Sequence, residues 1–294
     1  MRRREMHGRG NGRVFFSPAL ALILIAATAG VRASNAPEPV KMQSAAMSAF
    51  ERYVHLTAGR NAEEISRLSL FLHADALPEE KRAEAFAALR RGEVEVEKLE
   101  TLDGGKPIPC PGCLIHDWVG TVFIPGATLA QTLAVEEDYN VHSQIFTPYE
   151  RKSQILERDG GNYKVRIRFL RKKVITVVLD VVFDIDYHPL DATHAWSHGH
   201  TESVHQIEDH DTPEEYALPE GEDGGYLWAM ETYWRFVERD GGTYVQCESV
   251  SLTRSVPAIF AWIVDPFLRS VPRESLTGIL SDTRKGVLHP PSGK

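Results

Sequence analysis

The chain has 294 residues, 43% of them hydrophobic and 25% charged, an ordinary globular composition with room for one large domain or one domain with an appendage. Its formal net charge is −8, and removal of residues 1–33, which hold six Arg and one Glu, would deepen that to about −13. So acidic a surface argues against nucleic-acid binding and against docking on anionic lipid headgroups by charge.

Residues 1–33 read as a secretory signal. Arg2, Arg3, Arg4, Arg9 and Arg13 form a basic leader, residues 19–30 a short apolar core, and Val31-Arg32-Ala33 a small-residue cleavage site with Ala33 last before the cut. The alternative is an uncleaved anchor, but Ser17-Pro18 shortens the apolar run below a comfortable span. No later stretch reaches transmembrane length without a charge or a proline. The expected location is periplasmic or secreted.

Residues 34–40 read as a linker, and residues 34–91 as a helical appendage with helices over 41–57 and 78–91. Residues 93–100 alternate charged and apolar side chains, the pattern of an edge strand. Cys110-Pro111-Gly112-Cys113 suits a small structural disulfide or two idle thiols better than redox catalysis, because prolines precede it and no helix follows to stabilise a thiolate. Cys247 reads as a buried strand residue.

Residues 114–124 form a strand closed by Pro125-Gly126, followed by a short helix over 128–139 and a second short element over 142–146. From Tyr149 the pattern turns to β. Residues 157–163 and 238–244 spell nearly the same hairpin twice, each with Asp-Gly-Gly to supply positive φ. Tyr163 to Phe169 and Ile175 to Tyr187 alternate apolar with charged residues, giving strands with one dry face. Residues 193–207 read as a polar strand and 208–225 as an acidic loop. Tyr226, Trp228, Met230, Trp234 and Phe236 share one face of the next strand, with Glu231, Tyr233 and Arg235 on the other. The last strand, 243–253, has an ambiguous inner face, since Val245 and Cys247 point one way and Val250 and Leu252 the other. A long helix follows over 255–288, with Ser255 as N-cap and apolar residues at three- and four-residue steps. Pro266 and Pro272 predict a kink or break, with Ser270 capping the second half.

This order resembles the helix-grip fold of the START-like superfamily, which includes polyketide cyclase and dehydrase relatives and lipid-transport domains. The resemblance spans residues 114–288 and is carried by Val122-Phe123-Ile124-Pro125-Gly126-Ala127-Thr128, by Asp138-Tyr139, and by residues 250–257 running on to Pro272-Arg273-Glu274-Ser275-Leu276. These stretches look like a bacterial, signal-peptide-bearing branch. The resemblance implies an α+β fold, a curved seven-stranded antiparallel sheet around the C-terminal helix, in a START-like ligand-binding domain over 92–294. It also implies an apolar ligand between sheet and helix, but says nothing of the appendage or the Cys loop.

The candidate ligand-lining residues are Tyr187, Trp196, Trp228, Trp234, Phe236, Phe260 and Ile263, though such side chains also simply fill cores. His194, His198 and His200 share a strand face and could chelate a metal, or merely face solvent. His116, Asp117 and His142 are acid–base material for a cyclising or dehydrating enzyme, with a plain strand position and a helix terminus as the duller alternatives. Arg273 and Glu274 are expected to pair with strand residues such as Glu248 or Arg254. The leading expectation is an exported carrier of a small hydrophobic molecule of the lipid or isoprenoid class, with no cofactor. A cyclase or dehydratase using His116 or His142 is the alternative, and a protein-interaction module built on the appendage a third.

Overall fold

The N-terminal helices lie flat on the back of the sheet. In the computed structural model the described residues are 42–172, 176–219, 221–255 and 258–291, with only the backbone described over 258–269. Residues Glu38–Lys294 form one compact unit. The expected signal and linker lie outside the described residues.

Helix α1 (Ser44–Ser66) is followed by two short 3-10 turns and by α2 (Glu79–Arg91), which ends on Gly92 at φ 94°. Strand β1 (Glu95–Lys98) precedes a small hairpin of β2 (Leu102–Asp103) and β3 (Lys106–Pro107). Cys110 and Cys113 are joined in a disulfide just before β4 (Cys113–Pro125). Helix α3 (Leu129–Glu136) opens on a capping box between Thr128 and Gln131, and α4 (His142–Ile145) follows. Then come β5 (Glu150–Asp159), β6 (Asn162–Lys172), β7 (Thr176–Pro189), β8 (His194–Glu208), β9 (Tyr216–Ala217), β10 (Ala229–Arg239), β11 (Gly242–Arg254) and α5 (Ala258–Leu288).

Apart from the β2-β3 hairpin, the strands form one antiparallel sheet in the order β1-β4-β11-β10-β8-β7-β6-β5, with β9 paired to β8. Among the described residues the sheet has nine strands where seven were expected. The extra pieces are β1, which extends the edge beside β4, and the two-residue β9. On the inner face α5 packs Leu276 and Leu280 against Val122, Ile124, Phe236, Val245 and Cys247. Gly120 allows the close approach, because a Cβ there would stand 2.6 Å from Leu280 Cδ1. This is the helix-grip arrangement.

Helix α5 runs through Pro266 and Pro272 without the break that was one of the two expectations there, and Ser270 sits inside it rather than at a cap. A proline removes one amide donor but leaves helical φ intact, so the helix continues at the loss of one hydrogen bond at each.

The two hairpins with nearly identical wording turn one residue apart. In the first, Asp159 pairs with Asn162 and the central residues are Gly160 and Gly161. In the second, Arg239 pairs with Gly242 and the central residues are Asp240 (φ 57°) and Gly241 (φ 76°), as a type I′ turn needs. Gly242 is then free of a side chain where a Cβ would lie 2.4 Å from the Ile124 carbonyl oxygen. A one-residue slip reverses facing. Tyr163 therefore packs inward with Tyr139, whereas Tyr244 packs outward with Phe71 and Phe86.

The outer face of β4, β11 and β10 is as dry as the inner. Ala46, Phe50 and Tyr53 of α1 cover Tyr233, Val250 and Leu252, and Phe71, Leu72 and Leu89 cover Phe123, Val237 and Tyr244. Through this layer runs a polar seam. Arg235, with 0% exposure, donates from Nη1 to the Phe71 carbonyl (2.7 Å) and from Nη2 to Glu64 (2.6 Å) and Asn61. Glu248 accepts from Arg60 and from Asn61 Nδ2 (3.1 Å) of α1, so its carboxylate faces away from α5 and from Arg273, its expected partner. Gln246 accepts from the His73 amide at 2.6 Å.

Candidate functional site

Between the inner face and α5 lies a cavity of about 280 Å³, with walls that are largely apolar. Strand alternation builds it. Ile167 and Phe169 of β6, Leu179, Phe183, Ile185 and Tyr187 of β7, Met230 and Trp234 of β10, and Cys247 of β11 all point inward. From α5 come Val271, Pro272, Ser275, Leu276 and Ile279. The volume is roughly twice that of an engineered apolar cavity that admits benzene.

One end of the cavity is ionisable. Glu136 closes α3, His142 opens α4 and Glu150 opens β5, so three chain turns converge where the sheet meets the short helices. All three are buried and all line the cavity. His142 Nε2 lies 3.3 Å from the Val135 carbonyl and 3.1 Å from the Glu136 carbonyl, and only an N–H there can bond two carbonyls. Its Nδ1 is therefore the bare lone pair, 4.0 Å from Glu150 Oε2. Glu150 Oε2 and Glu136 Oε1 are buried without a hydrogen-bond partner among the described residues. Tyr139 Oη lies 2.7 Å from Tyr187 Oη, and Tyr187 donates onward to the Glu136 carbonyl at 3.2 Å.

Burial sets the protonation of this end. It pushes the Glu150 carboxyl up to about 8, against the pull of Arg171 and with help from Glu136. It pushes Glu136 up to about 7 and His142 down to about 4. Near neutral pH the imidazole is uncharged while the carboxyls are able to exchange protons. Arg171 also lines the cavity, stacked 4.6 Å over Tyr149, with Nε donating to Ser275 Oγ (3.2 Å) and Nη1 to the carbonyls of Tyr149 and Leu170. Burial lowers its pKa, as it lowers that of any desolvated cation.

The sequence-derived candidates separate. Tyr187 and Trp234 line the cavity, and Phe236 packs in the core behind it, stacked on Trp234. Trp196 and Trp228 do not belong to it. Trp196 stacks on His188 (4.1 Å) and packs with the outer cluster around Phe71, and Trp228 packs in the cluster under α1. Trp228 precedes the first paired residue of β10, so strand parity does not govern it. The side chains of Phe260 and Ile263 lie outside the described residues.

His116 lines the cavity, its Nε2 3.0 Å from Thr253 Oγ1 and its pKa lowered to about 4 by burial and then by Lys98. Asp117 points the other way, accepting from Tyr53 on the outer face, so the two cannot act as a dyad across one strand. Burial, with Glu248 next, raises Asp117 to about 7. His142 faces Glu150.

The three histidines of β8 lie on the outer face with separate partners. His194 bonds Asp191 (3.1 Å), His198 bonds Glu231 (2.6 Å), and His200 stands 3.9 Å from Asp184. Among the described residues no group of three or more His, Cys, Asp or Glu is placed to hold a metal ion.

Glu136, Glu150 and Arg171 escaped the sequence reading. Arg171 continues the odd-numbered dry face of Tyr163, Val165, Ile167 and Phe169, a legible signal. Within the run Glu136-Glu137-Asp138 nothing marks which acid turns inward, and Glu150 carries no signal at all.

No family model matches the sequence, and no curated protein matches it. Solved structures with a similar course of chain include a STAR-related lipid transfer protein fragment from Xanthomonas axonopodis, at 15% identity and TM-score 0.42, covering 66% of this chain and 99% of that one. Others are the Zhui aromatase/cyclase from a Streptomyces species (15%, 0.41, covering 60% and 94%) and human STARD10 (10%, 0.41, covering 73% and 82%). The helix-grip description rests on the sheet and helix themselves. Among the described residues no helix is long and apolar enough to cross a membrane.

Proposed function

We propose that this is an exported carrier or binding protein for a small hydrophobic molecule of the lipid or isoprenoid class, held between the sheet and α5. The observation that carries this reading is the cavity of about 280 Å³, apolar along its walls and polar at one end. Eight or so buried methylenes at about 0.8 kcal/mol each would give roughly 6 kcal/mol before association entropy is subtracted. Export follows from the leader over residues 1–33, and a mature chain found to begin at Ser34 in the envelope or medium would support it.

The test of binding is uptake of a neutral polarity-sensitive dye, with native mass spectrometry for a co-purified ligand. Leu179→Trp fills the cavity from β7 and should lower dye affinity at least tenfold while the thermal midpoint stays within a few degrees. Undiminished dye binding in that folded variant would refute the cavity as the site.

A second reading, a cyclase or dehydratase, draws on His142 Nδ1 facing Glu150 Oε2 inside the same cavity. It requires that His142→Gln keep dye binding and lose conversion of a poly-β-ketone substrate. Equal conversion by both proteins would remove it.

A further inference from the structure

The polar end of the cavity is a cluster of acceptors. Glu136 and Glu150 are 4% and 6% exposed, and each has a carboxyl oxygen with no donor among the described residues. His142 adds a third acceptor, because its one N–H is committed to the Val135 and Glu136 carbonyls and leaves the Nδ1 lone pair toward Glu150. Apart from the buried Thr283 hydroxyl beside Glu136, the donors that line this end are already in use. Tyr187 donates to the Glu136 carbonyl, the Tyr139 hydroxyl lies against the Tyr187 hydroxyl, and Arg171 spends Nε and Nη1 on Ser275, Tyr149 and Leu170.

From this geometry we infer that the ligand carries a protonated primary amine on an apolar tail, with the ammonium seated between Glu136, Glu150 and His142. The inference rests on the carrier reading and names its head group. An ammonium supplies three N–H donors to three acceptors, whereas an alcohol supplies one and a carboxylate none. Its positive charge favours the ionised form of both glutamates, each of which has one carboxyl oxygen without a donor, and a buried charge so paired avoids the penalty of an isolated one. Tyr139 and Tyr187 at the same end add ring faces of the kind that attract cations. A carboxylate head would meet the two glutamates, and the Arg171 Nε and Nη1 donors are already held by Ser275, Tyr149 and Leu170.

Octylamine, octanol and octanoate share one tail and differ only in head group, and eight carbons suit the cavity. Each would be used to displace a neutral polarity-sensitive dye from the full chain. The expected result is displacement by octylamine at a tenfold or more lower concentration than by the alcohol or the acid. Glu136→Gln and Glu150→Gln should each shrink that preference below threefold and leave octanol displacement within twofold. If octanol or octanoate competes as well as octylamine while the dye binds normally, the amine assignment is overturned and the carrier reading stands. If the dye does not bind at all, the carrier reading itself fails and takes the amine with it. The wild-type series decides the question even where a Gln variant does not fold.

Discussion

Replacing Glu150 by Gln is expected to change stability in a way that depends strongly on pH. In the unfolded chain this carboxyl titrates near 4.5, and in the folded protein near 8. Between those values the folded state holds a proton that the unfolded state has released. The unfolding free energy of the wild type therefore falls as pH rises through that window. At about 1.4 kcal/mol per unit the full effect is at most roughly 5 kcal/mol, and local entry of water would leave 2 kcal/mol or more. Gln has the shape of the protonated acid and does not titrate. At pH 5 the variant and wild type should agree within about 1 kcal/mol, and at pH 9 the variant should be the more stable by roughly 2–5 kcal/mol. Glu136 and Asp117, both raised to about 7, act in the same direction. His142 and His116, both lowered to about 4, make stability rise with pH between about 4 and 6.5. Both proteins share all four groups, so the contributions of Asp117 and His116, which lie away from Glu150, cancel in the comparison, while Glu136 and His142 beside it bring a smaller coupling change. Urea unfolding followed by tryptophan fluorescence at pH 5, 7 and 9 measures it, and a gap that stays constant from pH 5 to 9 would refute the reasoning.

Arg235→Ala strands Asn61 and Glu64 under α1 and should lower the unfolding free energy by about 3–5 kcal/mol, read as a fall in the urea midpoint. Gly120→Ala puts a methyl group 2.6 Å from Leu280 Cδ1 and 3.0 Å from Leu276 Cγ, and an overpacking loss of about 1–3 kcal/mol should appear in thermal melts. Cys110→Ser with Cys113→Ser opens a loop with a sequence separation of only 3, so the loss should stay below about 3 kcal/mol, and reductant should lower the wild-type midpoint similarly.

The parts of the fold that follow from short-range alternation were legible in the chain. The dry faces of β6 and β7 are written in successive residues and formed where the spacing placed them, as did the described part of the α5 stripe, Val271, Leu276, Ile279 and Leu280. The ambiguity of β11 had a physical source rather than a statistical one. That strand is covered by α5 on one side and α1 on the other, so Val245 and Val250 are both fully buried and no alternation remains to read. The same cover explains why Arg235, a charged residue that reads as solvent-facing, is wholly enclosed. Trp196 was misassigned because aromatic character alone does not say which of two dry faces receives a ring, and Trp228 because it stands just before the paired part of β10. The acceptor cluster was invisible for a different reason. Glu136, His142 and Glu150 come together through two tight connections whose geometry no local pattern specifies.

The layer formed by α1, the following turns and α2 bears on any attempt to trim the protein to a minimal version. A chain begun at residue 92 would keep every strand and the long C-terminal helix, and would look complete on a topology diagram. It would nevertheless open Arg235 and Glu248 to bulk water beside a bared wall of Phe123, Tyr233, Val250 and Leu252. Such a surface invites self-association, and the first sign of it would be insoluble protein rather than a missing activity.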